Sequence, residues 1–335
     1  MKKIINTADS FVQDTVEGII AAYKGKVKLL NDDFRILLSD YPTADGKVGL
    51  VTAGGSGHLP VFLGYVGKGM LDGCAVGEVF ASPASEKMSD MIRACDRGNG
   101  VLVLIGNYNG DIFNFRMACD EVEFDDIETK MVLVKDDVAS SPKENADKRR
   151  GVAGMIYAFK VAGAAADQMK SLDEVAAVAE KALGNIRSMG VALSPCIVPK
   201  VGEPTFTIAP DEIEVGMGIH GEAGIEVRKM MTADEIAETL VSAIVKDMPL
   251  ASGDEVSVMV NGLGGTPLEE QFIVYRKVSQ MLADMGVSIV SPHVGEYATS
   301  MEMAGLSVTI FKLDAELKEL LLAPAETPFY TNSNK

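Results

Sequence analysis

The sequence is short of positive charge. Thirty-one Lys and Arg face 48 Asp and Glu, a formal charge of −17. Such a surface repels phosphate backbones, and the basic stripe that direct nucleic-acid binding requires is missing. No apolar run reaches the ~18–20 residues of a membrane span, and the charged, helical-looking start does not read as a signal peptide. Cysteine is sparse: Cys74, Cys95, Cys119 and Cys196 lie far apart, with neither CxxC spacing nor disulfide-dense usage. Neither a Walker loop nor a GxGxxG turn occurs, so nucleotide cradling is not expected, and no cofactor is implied. Repeats and low-complexity tracts are also missing. These absences leave a globular protein of a reducing cytoplasm that does not itself contact DNA or a membrane.

What is present is the alternation of an α/β protein. The 335 residues, 47% of them apolar, suffice for about two domains. Short apolar runs at Lys47–Thr52, Val101–Ile105 and Met131–Val134 read as buried strands. Helical stretches follow at Ala84–Arg97, with Ser82 as N-cap and Pro83 in the first turn, and at Asp111–Glu123. Ser171 and Glu174 form a capping box for a helix to about Met189. A second set of strands is expected at Val191–Leu193, Glu212–Gly216, Glu255–Val260, Val287–Val290 and Ser307–Leu313. Helices lie between them at Thr232–Lys246 and Pro267–Met285, each opened by a Thr-x-x-Glu box (Thr232/Glu235, Thr266/Glu269). The domain boundary is placed near residue 190, giving domains over 1–190 and 191–335. The acidic run Asp120–Asp126 reads as a solvated face, and Met281 and Met285 as core filler.

Three segments carry unusual composition, each after a predicted strand, where open α/β sheets bind ligands. Gly54-Gly55-Ser56-Gly57-His58 is either a tight strand–helix turn or a close-fitting small-ligand cradle with a titratable base at its end. In Gly106-Asn107-Tyr108-Asn109-Gly110-Asp111, the aspartate is either a helix cap or a carboxylate able to accept a hydroxyl proton. In Gly216-Met217-Gly218-Ile219-His220-Gly221-Glu222-Ala223-Gly224, four glycines bracket one histidine. That is clearance of the kind an imidazole attacking a carbonyl needs, although a lone histidine is more often structural. His293, after Pro292, has no such context and reads as structural.

Together these segments resemble the dihydroxyacetone kinase K-subunit family. The resemblance runs from Met1-Lys2-Lys3-Ile4-Ile5-Asn6 through Gly54–His58, Gly77-Glu78-Val79-Phe80 with Ser82-Pro83, and Asn107-Tyr108 with Gly110-Asp111. It continues through Arg149-Arg150-Gly151-Val152 and Gly218–Glu222 to Thr266-Pro267-Leu268. It implies two α/β domains, each a mixed sheet flanked by helices, and a homodimer. It further implies capture of dihydroxyacetone as a hemiaminal on His220. Gly55, Ser56, Gly57 and His58 would line the sugar, and His58 and Asp111 would serve as an acid/base pair or as hydrogen-bond partners. A covalent bond suits a ligand whose few heavy atoms bind only modestly even at ~1.5 kcal/mol each. It also selects ketones over glycerol. An ADP-loaded donor subunit supplies the phosphoryl group in such systems.

Two positions depart from the family pattern. Leu59 stands where the kinase subunits carry Glu, and Gly106 where they carry a lysine beside the substrate. Loss of an electrostatic stabiliser of a transition state typically lowers rate ~10²-fold or more, whereas the nucleophilic histidine does not depend on it. A chain that keeps the trap and loses that charge resembles the kinase-like paralogues that act as transcriptional co-activators. Those proteins load the sugar and engage a TetR-type DNA-binding partner. The expectation is therefore a dihydroxyacetone-sensing co-activator of a kinase operon, the alternative being the substrate-binding subunit of the phosphotransferase-dependent kinase itself.

Overall fold

The computed structural model describes residues 2–333; Met1, Asn334 and Lys335, at the outer ends of the expected domains, lie outside the described residues. The chain divides into two compact units, each a mixed six-stranded sheet with helices. It does not change unit once near residue 190. The first unit takes residues up to Val134, Ile156–Ala182 and those from Glu319 on, and the second takes Lys135–Met155 and Leu183–Lys318.

In the first unit, α1 (Phe11–Ala22) precedes β1 (Val27–Leu30), β2 (Asp33–Ser39), β3 (Gly49–Ser56) and β4 (Gly73–Val79). Then come α2 (Ser85–Cys95), β5 (Val101–Gly106), α3 (Asn109–Glu123), β6 (Thr129–Val134), α4 (Met155–Asp167) and α5 (Leu172–Gly184). The sheet runs β1-β2-β4-β3-β5-β6, parallel from β4 to β6 and antiparallel at β1 and β2. β5 is buried along its whole length, which is why it reads as an unbroken apolar run. Met88, Met91, Ile92 and Cys95 of α2 pack with Phe115, Ala118 and Val122 of α3 on Val51, Ala53, Val103 and Ile105. That i, i+3, i+4, i+7 spacing places one stripe of each helix on the sheet.

The second unit contains β7 (Ile186–Ser194), β8 (Glu212–Val215), β9 (Glu226–Lys229), α6 (Ala233–Asp247), β10 (Glu255–Gly262), α7 (Leu268–Asp284), β11 (Ser288–Gly295) and β12 (Ala304–Leu313). Its sheet runs β11-β10-β12-β7-β8-β9, antiparallel except for β10–β11. Residue 190 falls inside β7. Residues 135–155 join this unit because they are tied to β7. Ser188 N donates to Asp136 O (2.8 Å), Val138 N donates to Ser188 O (3.0 Å), and the Ser188 hydroxyl donates to Asp136 Oδ2 (2.5 Å). After α8 (Ala315–Leu322), β13 (Ala325–Glu326) and β14 (Thr331–Asn332) pair as a small hairpin. The return to the first unit is fixed by Lys160 Nζ, which donates to Leu320 O (2.7 Å), and by Glu326 N, which donates to Lys68 O (2.8 Å).

Two of the expected helix starts form as read. Thr232 and Glu235 cap each other at α6, and Ser171 and Glu174 do so before α5. Two do not. The N-cap of α2 is Ala84, and Ser82 Oγ instead accepts from Asn114 Nδ2 of α3 (3.2 Å). Thr266 is drawn away from α7 by Gly305, bonding its O at 2.5 Å and its N at 2.8 Å, so Pro267 is left as an N-cap without a side-chain bond.

Candidate functional site

In the first unit, β3 and β5 are parallel neighbours, so the loops after them leave the same edge of the sheet. β3 runs to Ser56, so Gly54, Gly55 and Ser56 are strand residues rather than a loop. Gly55 is required by contact, since a Cβ there would lie 2.6 Å from Ala81 N and 2.9 Å from Phe80 Cα. Gly57 turns the chain through φ +102°, a conformation open mainly to glycine. Ser56 Oγ donates to Gly77 O at 2.8 Å, and Ser56 O accepts from Phe80 N at 3.0 Å.

The turn delivers His58 into the interior, where the residue is 1% exposed. Phe80 stacks on the imidazole, centroids 4.7 Å apart and planes 21° from parallel, and Phe62 meets it edge-on at 6.1 Å. Both phenylalanines hold left-handed backbones, φ +56° and +64°, which are uncommon for bulky residues and mark sites where surrounding structure imposes a geometry. From β5, Gly106 and Asn107 lead into α3, whose N-cap is Tyr108. Asp111 is therefore a buried residue of the first helical turn and not the cap itself. The positive end of the helix favours its carboxylate there.

In the second unit, the loop between β8 and β9 carries His220. Gly216 and Gly221 both turn at φ +82°, and Gly221 N donates to Gly218 O (3.1 Å). The His220 side chain is 25% exposed. Its Nδ1 lies 3.0 Å from Glu222 Oε1, and its backbone N donates to Glu222 Oε2 at 2.9 Å. Burial pushes the Glu222 carboxyl up, but the hydrogen bonds and charge of His220 outweigh it and hold the group at about 2. Arg150 stands behind Glu222, Nη1 to Oε2 at 3.9 Å, and donates to Gly216 O and Asp137 Oδ2, each at 3.0 Å. Burial raises Asp137 to about 6 against the pull of Arg150.

Gly55, Ser56, Gly57, His58 and Asp111 thus share one sheet edge of the first unit, and His220 lies in the second. His293 packs edge-to-face on Tyr297 (5.7 Å), and burial lowers it to about 4, so it stays neutral at physiological pH. Sequence reasoning gave no role to Phe62, Phe80, Arg150 or Glu222. The two phenylalanines sit close to the glycine motifs, and Arg150 and Glu222 lie within quoted motifs, but only the fold shows what they touch.

Residues 17–329 match the Dak1 domain. The chain belongs to the Dak1 family. Among Dak1 proteins, it is 44% identical over 328 residues to the dihydroxyacetone-binding subunit DhaK of PTS-dependent dihydroxyacetone kinase 1 of Listeria innocua, covering 98% of this chain and 99% of that one. The solved structure of the dihydroxyacetone kinase operon co-activator Dha-DhaQ superposes with a TM-score of 0.87 at 32% identity, covering 94% and 97% of the two chains. The dihydroxyacetone kinase of C. freundii superposes at 0.88 and 30% identity, covering 99% of this chain and 60% of that one. Kinases and a co-activator therefore share the Dak1 fold with this chain about equally closely, and fold alone does not separate the two roles. Among the described residues, no helix is long and apolar enough to cross a membrane.

Proposed function

We propose that this protein captures dihydroxyacetone as a hemiaminal on His220 and presents it, as a homodimer, for phosphorylation by an ADP-loaded donor subunit. The observation that carries the proposal is His220 itself. It is a partly exposed imidazole on a glycine-bracketed loop, in a chain matching a dihydroxyacetone-binding kinase subunit from end to end. His58 and Asp111 are assigned to the sugar's hydroxyls, the buried imidazole and the helix-start carboxylate being suited to accept and return a proton. Gly55, Ser56 and Gly57 are assigned to the sugar on the family resemblance.

Sequence alone ranks the co-activator first, because of Gly106. The relatives by sequence at 36–44% identity that are dihydroxyacetone-binding kinase subunits support the opposite order. The co-activator remains the second reading. Gly106 ends β5, beside the loop that leads to Asp111, and brings no cation there. In that reading the sugar-loaded protein favours a form with higher affinity for a TetR-type regulator, and only a difference in affinity between the two forms can drive the switch.

Phosphoryl transfer to dihydroxyacetone decides between them, measured with the donor subunit recharged by its phosphotransferase partners and an authentic kinase subunit alongside. Turnover comparable to the control supports the kinase subunit. An adduct-bearing protein without turnover overturns that assignment in favour of the co-activator.

A further inference from the structure

The His220 loop has a charged backing that the capture reading does not by itself require. Glu222 meets His220 twice, at the ring Nδ1 (3.0 Å) and at the backbone N (2.9 Å), so its carboxylate is held against the imidazole by the same residue it faces. Behind it, Arg150 is fixed on two other sides by Asp137 Oδ2 and Gly216 O, and its side chain is only 14% exposed. Gly218 lets the two side chains meet. A Cβ at that position would stand 2.1 Å from Glu222 Oε2 and 2.5 Å from Arg150 Nη1. The line Asp137–Arg150–Glu222 alternates in sign and ends on the His220 ring.

We infer that Glu222, backed by Arg150, is a positioning residue that fixes the His220 tautomer, with the proton on Nδ1 and the reactive lone pair on Nε2. An ionised carboxylate only accepts hydrogen bonds, so the nitrogen it faces is the protonated one. The partner on one ring nitrogen sets the role of the other. Resting on the capture reading, the step balances as follows. Nε2 forms the C–N bond to the ketone carbon while the carbonyl π pair passes to oxygen. That oxygen takes a proton from water and Nδ1 gives its own back to water, with Glu222 ionised throughout. The hemiaminal is neutral, and the proton count is unchanged. Between these events the ring is an imidazolium, and the fixed carboxylate stabilises it without reorganising. Arg150, 3.9 Å behind Oε2, keeps Glu222 aimed.

The test uses the full-length protein and two variants, Glu222→Gln and Gly218→Ala. The second keeps the charge but displaces the carboxylate. Two quantities are read: adduct affinity for dihydroxyacetone by intact mass, and the His220 tautomer by long-range ¹H–¹⁵N spectra of histidine-labelled protein, resolvable because the chain has three histidines. Both variants should bind the sugar about 10–100-fold more weakly, by analogy with metal-bound imidazoles that lose their carboxylate partner. His220 should pass from one tautomer to a mixture while the melting temperature holds. A single Nδ1–H tautomer and unchanged affinity in both variants would overturn the positioning role. If the unaltered protein forms no adduct, the capture reading falls, and the tautomer spectra still decide the role of Glu222. Should Glu222→Gln not fold, Gly218→Ala carries both readouts.

Discussion

Phe80 lies against the imidazole of His58 nearly in parallel, 4.7 Å between centroids, and holds a left-handed backbone while doing so. A strained residue placed flat on a buried histidine restricts that ring to one plane. The stack, with Phe62 edge-on to the same ring, helps to orient His58.

Replacing Phe80 by Leu removes the stack and leaves an apolar side chain. The expected loss is about 0.5–1.5 kcal/mol of stability, the usual worth of an aromatic pair beyond its buried area, together with weaker sugar binding. Urea denaturation and a binding titration on the same protein check the two effects. Unaltered binding would mean that His58 is oriented by something else.

Gly55→Ala places a methyl 2.6 Å from Ala81 N, a contact with backbone that no side-chain rotation relieves. Overpacking of this kind costs about 1–3 kcal/mol. Because the displaced segment carries Ser56 and His58, sugar affinity should fall as well, measured by intact mass against the unaltered chain.

Asp247 joins two arginines of the second unit. It accepts from Arg149 Nη1 and Nη2 (3.0 and 2.6 Å) and from Arg187 Nε (2.5 Å). Asp247→Ala takes the facing carboxylate from the buried Arg149, at a cost of about 3–5 kcal/mol. The Arg149 hydrogen bond holds the Asp247 carboxyl at about 2, below its ordinary 3.8, and outweighs burial. The stability it contributes is complete above pH 3.8 and is lost as pH falls toward 2. Acid denaturation of Asp247→Asn should lack that portion of the curve.

Lys160 is shifted the same way, but by a penalty on its charged form rather than by a partner. Burial lowers its ammonium from 10.5 to about 8. Below pH 8 both folded and unfolded chains carry the proton, and the penalty of burying the charge is complete. Between about 8 and 10.5 the unfolded chain binds more protons, so this group makes stability rise with pH. The stability difference between Lys160→Met and the parent should therefore change across that window. Parallel curves would contradict it.

Much of the fold was legible because parallel strands buried on both faces leave continuous apolar runs, as at Val101–Ile105. β4 was not, since its sequence Gly-Cys-Ala-Val-Gly-Glu-Val lacks β-branched character at its start. It is a strand because β2 and β3 pair with it on either side. Its Gly73 has Cys95 Sγ and Met91 packed where a Cβ would go. The helix expected to run to Met189 stops at Gly184, because Ile186–Met189 pair with β12. Glycine clusters announced the site loops, since close backbone approach needs glycine. The residues that aim the histidines did not announce themselves. Phe80 and Glu222 take their roles from what they touch, and nothing in residue spacing records a ring stack or a carboxylate held on one nitrogen.

The central claim is a covalent bond between the ketone carbon of the sugar and His220. Carbon NMR of the protein with dihydroxyacetone labelled at C2 tests it most directly. A protein-bound tetrahedral-carbon resonance, present in the unaltered chain and missing from a folded His220→Ala protein, is the predicted result. A bound sugar that keeps its ketone resonance, or a tetrahedral signal that survives His220→Ala, would contradict the account.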